Sequence, residues 1–168
     1  LHRKDFKQMR WEEIWDCATR IRNLFLRKPL PQALANALRD AVAERFADRP
    51  VAIRSSAPDE DAARSSFAGL HASYINVRGA KAILENVRMV WASLWSDAAL
   101  LYRQELGLDV GRSTMAVVVQ ELVVGEASGI CFSQSPTESS QALVESVYGL
   151  NQGLVDGDVE PDRWVIDR

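Results

Sequence analysis

The chain is expected to be α+β, with N-terminal helices followed by a mainly antiparallel sheet packed with helices. Three features predict this. Residues 1–50 carry apolar side chains at helical spacing with no β-rich run before them. Residues 51–77 hold two short β-rich runs around a Ser-, Pro-, Asp- and Gly-containing stretch. From Ser113 onward the texture turns β, in short runs separated by Gly, Ser and Pro.

Each element has its own signal. Ile14, Cys17, Ala18, Ile21, Leu24 and Phe25 recur at helical spacing between Trp11 and Leu26. Pro29 and Pro31 interrupt that pattern, and Pro31 suits the first turn of a second helix, which stops before Pro50. Leu34, Leu38, Ala41, Val42 and Phe46 form its apolar face. Strands are predicted over Val51–Ser56 and Ser73–Val77. A strongly amphipathic helix follows from Ala80 to Trp95, with Ile83, Leu84, Val87, Val90, Trp91, Leu94 and Trp95 inward. Ser96 and Asp97 can cap a further helix, Ala98 to Leu106, that Gly107 ends. Met115 through Val119 is a continuous apolar run, expected as a strand buried on both faces. Ala127–Ser133, Gln141–Val147 and Arg163–Ile166 complete the predicted strands.

The domain organisation read from this order is a helical lead-in over 1–50, part of a first lobe, and a core over 51–168. The length of 168 residues suits one domain with a real core or two small lobes. Twenty Lys and Arg against 23 Asp and Glu give a net charge of −3, so no global basic field draws in nucleic acid. Any anion site must be local. The two cysteines, Cys17 and Cys131, form no CxxC pair; a disulfide is open, with buried free thiols in a reducing compartment the expectation. There is no signal-peptide pattern and no bilayer-length apolar stretch, so a cytoplasmic location without membrane contact is expected. The five tryptophans fall mainly on helix faces and are read as packing, and His71 as a solvent-facing loop residue.

Three constellations could carry chemistry. Arg54 leaves the first strand beside a Ser/Gly loop, an arrangement suited to clamping phosphate; an ion pair with Asp59, Glu60 or Asp61 fits the same arginine. Gly69 makes a small-residue turn where backbone N–H groups can approach oxygen, or simply connects a hairpin. Gln120 and Glu121 end an apolar strand that runs out through Val123, a place where a purine could meet an apolar slot with polar groups at its edge; a strand terminus whose polar residues simply meet water fits the same residues. Glu145 precedes a segment with glycines at 149, 153 and 157, and Glu145, Gln152 and Asp156 are oxygen donors of the kind Mg²⁺ takes beside phosphates; an acidic loop with glycine-driven turns fits the segment equally. A P-loop, a GxGxxG fingerprint, a G-x-S-x-G elbow and a His-rich metal site are all absent from the sequence.

The order of these segments is more specific than any one of them. VAIRSSAPDED…SFAGLHASYINV, WASLWSDAALLYR, MAVVVQELV, EASGICFSQSP and GLVDGDVEPDRWVIDR together resemble one family over roughly residues 30–168. It is the nucleotide-binding domain of phosphoenolpyruvate synthase (pyruvate, water dikinase), shared with pyruvate phosphate dikinase and rifampicin phosphotransferase.

That resemblance implies an ATP-grasp fold and ATP and Mg²⁺ as cofactors. By position, Arg54 would contact the ATP phosphates and serve catalysis. Ser66, Gly69 and Ser73 would lie along the phosphate-covering loop. Gln120, Glu121 and the backbone through Val123 would hold adenine. Glu145, with Gln152 and Asp156, would ligate Mg²⁺. It further implies transfer of phosphoryl to a histidine on a swivelling domain of the same protein and on to pyruvate. An antibiotic or other small-molecule acceptor, or a non-catalytic nucleotide-sensing module, are the alternatives.

The chain departs from the family pattern in three places. Gln152 stands where members often have a glutamate, and Asp156 and Asp158 where many dikinases have Gln and Arg. Added negative charge beside a triphosphate is repulsive unless a cation intervenes, so stronger metal dependence or weaker transfer is expected. The family's upstream Gly-Gly-Lys segment has no counterpart here. The polypeptide is therefore expected to be a fragment, inactive alone.

Overall fold

The computed structural model describes residues 5–58 and 69–168 and divides into two compact units, Leu1–Leu122 and Val123–Arg168. The first begins with a 3-10 turn, Phe6–Gln8, and α1, Trp11–Arg27. The Arg10 N–H donates to the Glu13 carboxylate at 2.8 Å, and Glu12 and Glu13 place negative charge in the first turn, where the helix dipole favours it. α2 spans Gln32–Phe46, and Pro31 is its N-cap, one residue ahead of the first turn where the sequence placed it. β1 (Val51–Ser56) and β2 (Tyr74–Val77) follow, then α3 (Ala80–Ser93) and α4 (Asp97–Glu105). Ser96 caps α4, its hydroxyl accepting from the Ala99 N–H at 3.1 Å. A 3-10 turn, Val110–Arg112, leads to β3, Ala116–Glu121.

The sheet order is β2-β1-β3, antiparallel throughout, and α3 packs on all three strands as well as on α1 and α2. The core holds Val42, Val51, Ile53, Ile83, Val87 and Val90, with Val117 and Val119 packed against it. A smaller cluster of Ile14, Ala18 and Leu100 joins α1 to α4. Two arginines bind the helices together. Arg88 of α3 donates to the carbonyls of Phe25, Leu26 and Lys28 at 2.6–2.9 Å, answering carbonyls that the end of α1 leaves unpaired. Arg103 of α4, 1% exposed, donates to the carbonyls of Leu94 and Ala99 at 3.0 and 3.2 Å.

The second unit contains β4 (Ala127–Phe132), β5 (Gln141–Tyr148), the short α5 (Gln152–Asp156) and β6 (Asp162–Asp167). Its sheet is ordered β4-β5-β6 and is also antiparallel. Gly157 ends α5 in the left-handed conformation (φ 77°), which glycine adopts without strain. Ser135, Thr137, Glu138 and Ser140 hydrogen-bond locally in the β4–β5 connection.

Four expectations are corrected. β3 is buried on one face only: Val117 and Val119 meet the core, whereas Val118 is 42% exposed, because α3 covers one side of the sheet. Trp11, Trp15 and Trp164 are about half exposed; only Trp91 and Trp95 pack against the clusters. His71 is buried rather than solvent-facing. Both cysteines are free, as expected, but Cys131 is exposed. Among the described residues no helix is long and apolar enough to cross a membrane.

Candidate functional site

In the first unit the strand register decides which predicted residues meet. β1 is buried from Val51 to Ile53 and becomes exposed at Arg54. Arg54 pairs with Val118 and Ala52 with Gln120. Because side chains alternate along a strand, Val51 and Ile53 face α3, while Arg54, Val118 and Gln120 share the opposite face. Arg54 and Gln120 are diagonal neighbours there, a spacing of roughly 7–8 Å that long side chains can bridge. Ile53 also pairs with Tyr74, so Ser73, one residue before β2, enters beside Arg54.

Gly69 adopts φ 76°, a left-handed backbone conformation that glycine takes without strain, and among the described residues nothing lies within 4 Å of where a Cβ would be. The segment after it is anchored by Ser93 of α3. The Ser93 hydroxyl accepts from the Ala72 N–H at 2.9 Å and donates to the Val90 carbonyl at 2.7 Å. Ser73 is exposed. Ser66 and the acidic residues Asp59, Glu60 and Asp61 lie outside the described residues.

The Glu121 carboxylate pairs with the Arg49 guanidinium at 2.6 Å, and Arg49 also donates to the carbonyls of Phe46 and Arg45. The Glu121 side chain therefore secures the end of β3 to the end of α2. The Leu122 N–H donates to the Pro50 carbonyl at 2.9 Å. Val123, the first residue of the second unit, is 81% exposed. A groove of about 530 Å³ lined by residues including Leu30, Arg39, Lys81, Leu84 and Arg88 shares no residue with the Arg54 face.

In the second unit Glu145 lies in the central strand, paired with Ile130 of β4 and Arg163 of β6. Its Oε1 accepts from Arg163 Nε at 2.8 Å and lies 2.5 Å from Nη2. Gln152 and Asp156 open and close α5, and both are exposed. Among the described residues no group of three or more His, Cys, Asp or Glu side chains could hold a metal. One or two carboxylates fit Mg²⁺ bound with a nucleotide, since phosphates and water complete its shell.

Two partners escaped the sequence reading, Arg163 for Glu145 and Arg49 for Glu121. Opposite charges in or next to strands were the available signal, but the register that joins them is tertiary.

Comparison with known proteins matches residues 2–168 to the family described as pyruvate phosphate dikinase, AMP/ATP-binding domain. A phosphoenolpyruvate synthase of Aeropyrum pernix is 39% identical over 164 residues, covering 94% of this chain and 20% of that protein. A rifampicin phosphotransferase of a Streptomyces species is 40% identical over 153 residues, covering 90% of this chain and 18% of that protein. A probable phosphoenolpyruvate synthase of Methanothermobacter thermautotrophicus is 43% identical over 119 residues, covering 70% of this chain and 17% of that protein. The chain thus spans a fifth or less of the length of these relatives.

Proposed function

The chain belongs to the pyruvate phosphate dikinase AMP/ATP-binding domain family, and from that premise we propose that it is the ATP-binding part of a phosphoenolpyruvate-synthase-like dikinase. Its fold would be ATP-grasp, with residues 1–50 leading into the first lobe and 51–168 forming the core. The whole protein would act in the cytoplasm, passing phosphoryl from ATP to a histidine on a swivelling domain and then to pyruvate.

The observation that carries this reading is the shared sheet face of Arg54 and Gln120. Arg54 offers a planar fork of donors to phosphate oxygens and offsets charge that develops during transfer. Gln120 presents a side-chain amide able to read the edge of adenine, with Val118 supplying apolar surface beside it. Gly69 and Ser73, with Ser66 outside the described residues, would offer backbone and hydroxyl donors to phosphate. Glu121 and the backbone at Val123 would offer donors and acceptors to the base edge. Glu145, with Gln152 and Asp156, would hold Mg²⁺, which neutralises phosphate charge when bound. Asp158 adds negative charge where many dikinases have arginine, so the chain's own residues leave more of that neutralisation to the cation.

Arg54→Ala in the full-length protein tests the reading. Phosphohistidine formation from ATP should fall by roughly 10²–10³-fold while circular dichroism stays native. Unchanged formation would reject the assignment. The likeness to rifampicin phosphotransferase favours a second reading in which the acceptor is an antibiotic. Supplying pyruvate or rifampicin to the phosphorylated protein distinguishes the two by which becomes phosphorylated.

A further inference from the structure

Glu145 and Arg163 stand directly opposite each other on β5 and β6. The carboxylate is largely enclosed, its side chain 13% exposed, whereas the Arg163 side chain is 61% exposed. An arginine fork often spreads across both oxygens of a carboxylate. Here Nε and Nη2 both converge on Oε1. No hydrogen bond reaches Oε2 from the described residues. One oxygen is thereby fixed in direction, and the other keeps its lone pairs.

We propose that Arg163 is a positioning residue that holds Glu145 as a one-oxygen ligand for the divalent cation of a bound nucleoside triphosphate. This rests on the reading of Glu145 as a metal ligand. Ligating carboxylates are commonly oriented by an outer hydrogen bond, and loss of such a partner weakens metal binding about 10–100-fold. Arg163 is placed for that role by the strand ladder itself, so the carboxylate needs no reorganisation when the cation arrives. A cross-strand ion pair that only fixes sheet register would make the same contacts, but the two roles differ in the sign of one measurement. Deleting a positive charge beside a cation site should tighten cation binding by Coulomb's law alone. Deleting a positioning group should loosen it.

The test uses Mn²⁺ as the probe, titrated by electron paramagnetic resonance into the full-length protein with a non-hydrolysable ATP analogue. Arg163→Ala is expected to weaken Mn²⁺ binding about 10–100-fold. Arg163→Gln, which keeps an N–H donor without the charge, should restore near-wild-type binding. Nucleotide affinity in EDTA should be unchanged in both variants. Mn²⁺ binding as tight as wild type, or tighter, in a folded Arg163→Ala protein would overturn the proposal. So would weaker nucleotide binding in EDTA, which would make Arg163 a phosphate contact. Should Arg163→Ala fail to fold, Arg163→Gln alone decides, since near-wild-type binding is required of it and a 10-fold loss refutes it. Glu145→Gln separates the levels: if it leaves Mn²⁺ affinity intact, the metal assignment itself fails.

Discussion

Arg54 and Gln120 occupy one face of the first sheet, a single diagonal step apart across the β1–β3 ladder, with Val118 directly opposite Arg54. Under the proposed function the two side chains would offer different chemistry to one extended ligand, a charged fork and a neutral amide. Gln120→Ala should therefore weaken ATP binding about 5–10-fold, the effect of one net hydrogen bond, without altering maximal turnover. Calorimetry together with turnover at saturating ATP measures both; an unchanged dissociation constant would remove Gln120 from the base site.

Arg88 links α3 to the carbonyl end of α1 through Phe25, Leu26 and Lys28. Arg88→Met keeps most of the aliphatic stem and deletes every donor. Stability should fall by roughly 2–3 kcal/mol, read as a lower urea midpoint at constant slope. A midpoint within error of wild type would show that water serves those carbonyls equally well.

Gly129 of β4 sits where an added Cβ would collide with the Glu145 carbonyl oxygen. Gly129→Ala must push β4 away from β5 at the position of the candidate ligand. A loss of roughly 1–3 kcal/mol is expected, with faster amide exchange along the β4–β5 ladder and slower exchange preserved in β1 and β3. Uniform protection across the second sheet would contradict that packing.

Glu138 accepts hydrogen bonds from the backbone and the hydroxyl of Ser140, which hold its carboxyl below the usual glutamate range. The backbone bond is the larger cause. A carboxyl whose folded value is depressed stabilises the fold above its unfolded value, and loses that effect as pH falls through the folded one. The β4–β5 connection should accordingly loosen only in acid, seen as a shift of the Ser140 amide resonance that Glu138→Gln abolishes. A Ser140 amide that does not respond to pH would refute the contact.

Element identity was legible because it is written locally. Pro31, Ser96 and Gly107 punctuate the chain by backbone preferences that tertiary context did not override. The Arg54 strand lies where its β-rich run placed it. Exposure was less legible. Val118 sits in an apolar run as continuous as a doubly covered strand, yet it is 42% exposed on the face away from α3. Trp11 and Trp15 have core-like chemistry but lie beside the stripe of Ile14 and Ala18 that α3 and α4 cover. The side-chain partners of Glu121 and Glu145 were hidden for a related reason. Arg49 and Arg163 reach them only through strand pairing, which no local window of sequence encodes.

The enclosed guanidinium of Arg103 has a consequence for how the first unit opens. A group that stays charged at any physiological pH is costly to bury unless its donors are answered, and here the carbonyls of Leu94 and Ala99 answer it. Water reaches it only when the corner between Leu94 and Ala99 comes apart. Fraying at that corner costs those two hydrogen bonds, so a protease should cut there more slowly than in the exposed turns of the unit.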